Sequence, residues 1–392
     1  MISSSVEYQK KELPVKIKTI GLMLLLAGLV IVILGYLVNP DRAAYNNIIA
    51  LAFLISIAVG SLFFTAIEFL AGAVWSTPFR RISEFLSSLV WVIPVLFIPL
   101  LININSVFHW THPLPSEKSL IDKAPYLNVN FFVIRVLAFW LIWIIFYFFL
   151  SKNSRKQDFT KDQFLTRKNI KLSAVFMPFF AITISFTAID WLMSTEPHWF
   201  STIFGVYYFS GTVLTALSAV TIFVITLNTN EYLVKGISND SYYSLGALLF
   251  AFTNFWAYIA FSQFLLIWYA NLPEETFWFL ARWEGNWKIF SIGLIVIHFL
   301  VPYIGLLTQP SKMNPKRLVV MAGWILFAHY YDLFWLVMPN FFKDGIPLNW
   351  IEFGFPIFIS GLVILVFYYQ SKKNNLVAIG DPKLKRGLDF RL

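Results

Sequence analysis

Seven ionisable side chains lie inside stretches of this sequence that are otherwise apolar enough to cross a membrane. They are Glu68, Glu84, Arg135, Asp190, His298, His329 and Asp332. A titratable group in the hydrocarbon core of a bilayer is costly, so each one is by default a candidate functional residue. Carboxyl and imidazole groups exchange protons, and a series of them can carry a proton when each step spans one hydrogen bond or one bridging water. These residue types therefore indicate proton transfer.

Positions along the predicted helices place these groups at successive depths, because an α-helix rises about 1.5 Å per residue. Glu84 lies close to the inner boundary, and Glu68 lies in the inner half of its span. His298 and His329 lie near the middle. Asp332 lies in the outer half, on the face of His329, since the spacing is i, i+3. We predict a proton path that leads from Glu84 and Glu68, through one of the histidines, to Asp332.

Two further groups lie toward the outer boundary. Arg135 and Asp190 are at a depth where they can pair as counter-ions, and Asp190 is the predicted outer end of the path. Tyr258 is included as a further member of the path. Each carboxylate also has a structural alternative: Glu68 as a hydrogen-bonded packing residue, Asp190 as the cap of a helix end, and the central His–Asp pair as a tie between helices.

The seventh predicted span carries a polar face. Asn254, Tyr258 and Ser262 are four residues apart, and Gln263 lies beside them. In hydrocarbon each such group costs free energy unless it finds a partner, so this face should look into a protein interior or a watery cavity. The alternative is that these side chains only tie neighbouring helices together.

The fifth predicted span carries a similar line of polar residues. Thr183 and Thr187 precede Asp190 at i, i+4 and i+7, which is one face of a helix. The sixth span has small residues at comparable spacing, namely Gly211, Thr215 and Ser218. Such residues favour close helix packing, and their hydroxyl groups can also hold water; both interpretations stand.

Ten predicted spans would position these groups. The chain has 392 residues, is 58% hydrophobic and only 13% charged, which is the composition of a polytopic membrane protein. The spans cover roughly residues 18–38, 46–75, 85–105, 130–150, 173–193, 203–227, 243–270, 287–308, 318–339 and 350–370. We therefore predict an all-α protein with one membrane domain at 18–370, an N-terminal tail at 1–17 and a basic tail at 371–392.

Basic residues predict the topology. Of the 30 lysine and arginine residues, 23 lie on the side that holds both termini and 6 lie on the opposite side. By the positive-inside rule, both termini are predicted to be cytoplasmic. The net charge of +9 is then a signal of topology and of contact with anionic lipids, and it does not indicate nucleic-acid binding.

Aromatic residues cluster near the predicted outer boundary, where an interfacial belt is expected. The tryptophans concerned are Trp110, Trp191, Trp199, Trp268, Trp278, Trp283, Trp287, Trp335 and Trp350. The segment Thr276–Trp287 is too polar to span and too aromatic for an ordinary loop. We expect it to lie flat in the interface or to press against a partner protein.

The absence of cysteine limits the chemistry of this chain. It excludes iron–sulfur clusters, covalently attached haem, disulfides and thiolate metal sites. Of the five histidines, only His298 and His329 fall inside predicted spans, too few for stacked haems. We expect no cofactor and no metal site in this chain. The sequence also lacks the phosphate-binding GxxxxGK[ST] loop and the HExxH pair of zinc proteases.

Three stretches together resemble one family. They are FWAYIAFSQFLLIWYANLPEETFW (255–278), DWLMSTEPHWFSTIFGVYYFSG (190–211) and VWSTPFRRISEF (74–85). The chain resembles the F-type membrane subunit of alternative complex III, a bacterial quinol:electron-acceptor oxidoreductase. That subunit belongs to the NrfD/polysulfide-reductase membrane-subunit superfamily. The likeness extends over essentially the whole chain in the number and order of spans.

The resemblance implies two four-helix bundles, over residues 46–193 and 203–339, flanked by peripheral helices at 18–38 and 350–370. It implies the bacterial inner (cytoplasmic) membrane as the location. The implied partners are a C-type sister subunit, an iron–sulfur protein, multihaem and monohaem cytochromes c and, as an optional addition, a terminal oxidase. Haem c and iron–sulfur clusters would lie in those partners, with membrane lipids and quinol nearby. In the family, the quinol site is placed in the C-type subunit.

One departure bears on the role of this chain. The quinol-site histidine of the C-type second span has no counterpart in TAIEFLAGAVW (65–75), where Glu68 is the ionisable residue. The departure favours a supporting or proton-conducting role over quinol oxidation. Two alternatives remain: a purely structural anchor subunit, and a quinone-binding subunit with its site at the Asn254/Tyr258 face or near Asp190. A secondary transporter is a more distant alternative.

Overall fold

The structure is a computed structural model that describes residues 8–343, 345 and 348–392. Ten helices in this part of the chain are long and apolar enough to cross a membrane, which confirms the predicted number of spans. The described residues contain no β-strand. The helices, numbered here as spans 1 to 10, are Val15–Val38, Pro40–Leu70, Arg80–Ile102, Val129–Thr160, Gln163–Thr195, Phe204–Thr229, Asn239–Ala270, Trp287–Leu306, Pro315–Asn340 and Ile351–Lys373.

The largest departure from the predicted boundaries lies between spans 4 and 5. Hydropathy predicts a loop there, whereas span 4 continues to Thr160 and span 5 begins at Gln163. Hydropathy detects only the apolar part of a helix, and the lysines and arginines beyond it are good helix formers. The turn is confined to Lys161, at φ 53°, and Asp162, whose side chain caps span 5 by accepting from the Phe164 amide at 2.9 Å.

Short helices occupy several of the connections between spans. They are Ile104–Val107, Lys118–Asp122, Pro273–Ala281 and Gln309–Met313, and a further short helix, Leu384–Leu388, lies in the C-terminal tail. Spans 5 and 8 each contain a π-helical turn, at Ala188–Leu192 and Ile295–Leu300. Such turns are rare and frequently occur at functional sites. These two hold Asp190 and His298, two of the candidate residues.

Span 2 lies at the centre of the molecule. It packs against spans 3, 5, 6, 9 and 10, and its side chains are buried along nearly all of its length. Span 6 packs against spans 2, 5, 7 and 9, so spans 2 and 6 together join the two halves of the chain. Spans 1 and 10 pair closely with each other on the outside. The interior between spans 2 and 6 is therefore where buried polar groups of both halves can meet.

Gly60 allows spans 2 and 6 to approach closely. A Cβ atom at this position would lie 2.7 Å from the Thr212 carbonyl oxygen and 2.8 Å from the Ala216 Cβ. These neighbours are backbone and a short side chain, so neither can move aside without shifting a helix. Small residues at such contacts let membrane helices pack backbone to backbone.

We predict that Gly60→Ala destabilises the protein by about 1–3 kcal/mol, the usual cost of overpacking. Gly323→Ala is the matched control, because nothing described lies within 4 Å of a Cβ there. In a helix interior that change should be neutral or stabilising by about 0.5–1 kcal/mol. Thermal unfolding of both variants in detergent measures the difference, and equal behaviour would refute the close-contact interpretation.

The C-terminal basic tail is folded against the helices. Leu376 and Val377 are buried, and Asp381 accepts a hydrogen bond from Arg80 Nη2 at 2.7 Å. Lys10 Nζ donates to the Lys372 carbonyl oxygen at 2.7 Å, so the N-terminal and C-terminal segments meet at the same end of the molecule. We call this the terminal end and the opposite side the far end.

The docking of this tail should depend on pH. Burial raises the pKa of Asp381, but Arg80 and the Lys383 amide outweigh it and hold that pKa below its usual value. A carboxyl group whose pKa is lower in the folded state stabilises the fold at pH values above its unfolded-state pKa of about 3.9. This stabilisation is lost as the pH falls through the folded-state pKa. We predict that Asp381→Asn undocks the tail already at pH 7, since breaking a buried ion pair costs about 3–5 kcal/mol.

Hydrogen exchange of the amides at residues 376–381 measures this docking. Wild type should stay protected at pH 7 and lose protection below about pH 4, whereas Asp381→Asn should be unprotected at both. Asp389→Asn, which changes an exposed carboxylate of the same tail, is the control. Full protection in Asp381→Asn at neutral pH would contradict the assignment.

Candidate functional site

A buried polar cluster lies among spans 6 to 9, with Asp332 of span 9 at its centre. Tyr207 of span 6 donates its hydroxyl to Asp332 Oδ1 at 2.5 Å, and Trp256 of span 7 donates its indole N–H to Oδ2 at 3.1 Å. His329 Nδ1 lies 3.8 Å from Oδ2. Asp332 is completely buried. We call Tyr207, Trp256, His298, His329 and Asp332 the central cluster.

Both histidines of the central cluster have buried nitrogen atoms without a hydrogen-bond partner among the described residues. The His298 ring stacks on Trp256 with centroids 3.7 Å apart, and its centroid lies 6.1 Å from that of His329. Within the described part of the chain, three imidazole nitrogens have no hydrogen-bond partner: both nitrogens of His298, and Nδ1 of His329. A buried, unpaired polar atom is costly. A proton-carrying water or ligand at these nitrogens would remove that cost.

The surrounding helices make room for this cluster. Gly211 of span 6 faces His329, and a Cβ there would lie 2.3 Å from the His329 ring carbon Cε1. The small residues predicted on span 6 therefore leave space for the His329 imidazole, in addition to allowing close helix packing. The π-helical turn of span 8 carries His298 to the same place.

Hydroxyl groups continue from the central cluster along the contact of spans 2 and 6. His329 Nε2 lies 3.3 Å from Ser56 Oγ, which in turn lies 3.3 Å from Thr212 Oγ1. Further along, the Ser61 and Thr215 hydroxyls are buried and have no hydrogen-bond partner among the described residues. Polar sites of this kind favour bridging water. We call these five residues the hydroxyl seam: His329 at one end, followed by Ser56, Thr212, Ser61 and Thr215.

A second cluster lies at the terminal end, between spans 2, 3 and 4. Glu84 accepts from Ser154 Oγ at 2.6 Å, and Glu68 accepts from Ser83 Oγ at 3.3 Å. Arg80 lies 3.5 Å from Glu84. The structure thus brings the two predicted inner carboxylates to one buried site, which we call the inner cluster.

Span 2 connects the inner cluster to the hydroxyl seam. Glu68 and Ser56 lie on this one helix, about 18 Å apart at 1.5 Å per residue. Thr65 lies between them and is buried, with its hydroxyl donated to the Ser61 carbonyl oxygen at 2.9 Å. No direct hydrogen bond joins the inner cluster to the hydroxyl seam in the described structure. A proton moving between them would need bridging water along the seam.

Asp190 forms a separate, closed cluster toward the far end. Arg135 donates to both of its carboxylate oxygens, at 2.7 and 3.2 Å, and Tyr126 donates to Oδ1 at 2.9 Å. The guanidinium also lies 3.9 Å from the centre of the Tyr126 ring. The structure therefore pairs Arg135 with Asp190 as counter-ions, in agreement with their predicted depth.

The structure shows no direct link between the predicted outer end of the path and the central cluster. No hydrogen bond described in the structure joins Asp190 to Asp332, and the oxygens of each accept from other donors. Thr183 and Thr187 of the same face donate to the Phe179 and Thr183 carbonyl oxygens, at 2.8 and 2.7 Å. Their hydroxyls are satisfied by the helix backbone, so this face serves packing.

The polar face of span 7 does not look into the interior of the chain. Of the two settings expected for this face, the cavity is the one that agrees with the structure, because Asn254 and Tyr258 border an open groove. Tyr258 is 66% exposed, and Asn254 and Ser262 are half-buried. The buried face carries Trp256 and Gln263 instead, and Gln263 accepts from Ser201 Oγ at 3.2 Å. The exposed position of Tyr258 separates it from the buried central cluster.

A groove of about 870 Å³ lies beside that exposed face. It opens between span 7, the helix Pro273–Ala281 and span 8. Most of its lining is aromatic or aliphatic, with a few polar groups. The residues that matter here are Asn254, Tyr258, Trp268, Phe279, Trp283 and Trp335.

The aromatic segment Thr276–Trp287 packs onto its own chain. Trp278 stacks on Trp199 with centroids 4.3 Å apart, and the Arg282 guanidinium lies 3.3 Å from the centre of the Trp278 ring. Six of the tryptophans assigned to an interfacial belt are buried, which corrects that prediction. They are Trp110, Trp191, Trp199, Trp278, Trp287 and Trp335. The far end is closed by folded connections, so these rings meet protein rather than lipid headgroups.

Sequence reasoning missed three residues that the structure makes prominent. Tyr207 and Trp256 hold Asp332, and Arg282 is fully buried with its donors on backbone carbonyls. Tyr207 and Trp256 do lie in the two long stretches that carry the family resemblance, which was the signal that could have found them. Nothing in the local sequence distinguishes Arg282 from an ordinary loop arginine.

Ten candidate spans with buried titratable clusters define a multi-pass membrane protein. Comparison with known proteins adds no family to this description. The chain matches no protein-family model, and no curated protein matches it.

Proposed function

We propose that this protein is an integral membrane subunit of a respiratory quinol:electron-acceptor oxidoreductase of the alternative complex III type. In this proposal it carries no cofactor, supports assembly and conducts protons for quinol oxidation in a C-type sister subunit. The haem c and iron–sulfur clusters belong to partner subunits. The resemblance of the three quoted stretches supports the choice of complex.

One observation carries the proton-conducting role. Asp332 is held by Tyr207 and Trp256 in the membrane interior, beside two histidines whose unpaired nitrogens can take up and release protons. The hydroxyl seam leads from His329 toward Glu68. The proposed path therefore runs from Glu84 and Glu68, along the seam, to the central cluster, and it does not use Asp190 or Tyr258.

Helix contacts and charge support the architecture in this proposal. Spans 2 to 5 pack among themselves, as do spans 6 to 9, and spans 1 and 10 pair on the outside. These contacts support the two flanked bundles that the resemblance implies. The excess of basic residues at the terminal end favours a cytoplasmic position for both termini. A bacterial inner membrane is the matching location.

Co-purification tests the proposed complex. The full chain, carrying a non-perturbing tag, would be extracted from its native membrane in mild detergent and its partners identified by mass spectrometry. We expect a C-type sister, an iron–sulfur protein and c-type cytochromes, together with quinol oxidation activity. A chain that purifies without any redox subunit would overturn the proposal.

The groove beside span 7 favours a second candidate function, binding of a quinone. Its volume of about 870 Å³ lies within the usual range of small-molecule sites, which are mostly apolar with a few polar groups. Asn254 supplies an amide near the aromatic lining. A quinone ring and part of its tail match this chemistry.

Photo-crosslinking tests the quinone-binding candidate. A photoreactive quinone analogue should label the groove in the reconstituted complex, and Ala260→Trp, which fills the lining, should abolish the labelling. Ala270→Trp, outside the groove, is the control. Equal labelling by a photoreactive phospholipid, not displaced by quinone, would assign the groove to lipid and remove this candidate.

A further inference from the structure

Two histidines and one glutamate converge at the far end, outside the clusters described above. His109 Nε2 lies 3.0 Å from both carboxylate oxygens of Glu117, and His198 Nε2 lies 3.1 Å from Glu117 Oε1. His109 and Glu117 belong to the connection between spans 3 and 4, whereas His198 belongs to the connection between spans 5 and 6. The cluster therefore joins two segments that are far apart in sequence.

The spacing of these atoms fits a metal ion. One ligand atom from each of the three side chains can be chosen so that all lie within 4.8 Å of one another. In a tetrahedral zinc site with Zn–N and Zn–O distances of about 2.0–2.2 Å, neighbouring ligand atoms are about 3.2–3.6 Å apart. The observed contacts of 3.0 and 3.1 Å come within a few tenths of an ångström of that range.

The backbone beside each histidine is anchored by a buried tryptophan, which favours a preorganised site. Trp110, next to His109, is buried and donates its indole N–H to Ser194 Oγ at 3.2 Å. Trp199, next to His198, is buried in the stack on Trp278.

The carboxylate is positioned by the backbone. The Leu114 amide donates to Glu117 Oε2 at 2.8 Å, and this hydrogen bond holds the carboxylate in the orientation in which it meets both imidazoles.

The cluster is also open to solvent. The side chains of His109 and His198 are 39% and 38% exposed, and that of Glu117 is 19% exposed. A metal ion could enter without any opening of the fold. Three protein ligands leave a fourth tetrahedral position, which a water molecule would fill.

We propose that His109, Glu117 and His198 form a binding site for a divalent transition-metal ion, with Zn²⁺ as the best match to two imidazoles and one carboxylate. The ion would fasten the connection between spans 3 and 4 to the connection between spans 5 and 6. The sequence-based expectation of no metal site considered only the absence of cysteine and the two histidines inside predicted spans. It did not consider the histidines in the connections between spans. The site is independent of the proposed role in proton transfer.

Metal titration of the purified full chain, with its partners and a tag that contains no histidine, tests the site. After treatment with a chelator, Co²⁺ serves as the spectroscopic probe and Zn²⁺ as its competitor. We expect one Co²⁺ per chain at this site, visible absorption typical of tetrahedral coordination, displacement by Zn²⁺, and a higher apparent Tm with metal. Glu117→Gln and His198→Ala should each weaken binding by about 100-fold.

Asp122→Asn, which changes an exposed carboxylate on the neighbouring helix Lys118–Asp122, is the matched control and should bind as wild type does. Because the three ligands lie at the surface, the variants should fold, and an unchanged Tm without metal verifies this. Absence of the Co²⁺ absorption in wild type, or equal affinity in Glu117→Gln, would overturn the proposal.

Discussion

Asp332→Asn should abolish most of the proton translocation that accompanies quinol oxidation. Asparagine keeps the shape of the side chain and one acceptor oxygen for Tyr207, but it cannot take up a proton at neutral pH. A positioned proton-transfer group contributes about 10²–10⁴-fold to a rate, so the proton-transfer rate should fall by about 100-fold or more. In the proposed complex the electron-transfer groups lie in other subunits, so quinol oxidation in uncoupled membranes should be far less affected.

The measurement uses the complex reconstituted in liposomes, with a pH-sensitive dye to follow proton movement and absorbance to follow quinol oxidation. Glu68→Gln at the other end of the proposed path should behave in the same way. Glu274→Gln, an exposed carboxylate at the start of the helix Pro273–Ala281, is the control and should pump normally. Unchanged pumping in the Asp332→Asn/Glu68→Gln double variant would exclude the path and leave a structural anchor.

The second large effect should follow from Arg282→Met, and it should be on stability. The Arg282 guanidinium donates to the carbonyl oxygens of Trp278, Trp335 and Leu336 at 2.9, 3.2 and 2.6 Å. Two of these carbonyls belong to the last α-helical turn of span 9, which ends at Val337 before a 3-10 turn at Met338–Asn340. A cation is favoured at such a helix end by the helix dipole. Hydrogen bonds to a charged group contribute about 1.5–3 kcal/mol each.

Methionine would leave these buried carbonyls without a donor and would remove the cation–π contact with Trp278. We expect the free energy of unfolding to fall by about 3–5 kcal/mol, in line with other losses of buried charged groups. Arg282→Lys should recover only part of the loss, because an ammonium group cannot reproduce the planar fork of donors.

Tryptophan fluorescence during thermal or denaturant unfolding in detergent measures the effect. Lys288→Met is the matched control, because Lys288 is an exposed cation six positions away that lies 5.4 Å from the Trp283 ring. Equal stability of Arg282→Met and Lys288→Met would contradict the role assigned to Arg282.

The number and order of the spans could be predicted from the sequence alone. A stretch of about 20 apolar residues has few alternatives to a membrane-crossing helix, because every backbone polar group in hydrocarbon must be paired within the segment. Helix ends were predicted less well. Span 4 runs to Thr160 and span 5 starts at Gln163, where lysines and arginines extend the helices beyond their apolar parts.

Residue type and depth also predicted part of the candidate site. Arg135 and Asp190 pair, and His329 and Asp332 share a helix face. These relations depend on helix periodicity and on the cost of leaving an ion unpaired in hydrocarbon. Both can be evaluated from a single sequence.

Only the tertiary structure decided which side of each helix meets which neighbour. Tyr258 and Trp256 are two positions apart on one helix, yet Tyr258 faces the groove and Trp256 holds Asp332. Rotation about the helix axis is set by packing against spans 6, 8 and 9, and those contacts join residues distant in the chain. The same holds for His109, Glu117 and His198, which only the folding of two connections brings together.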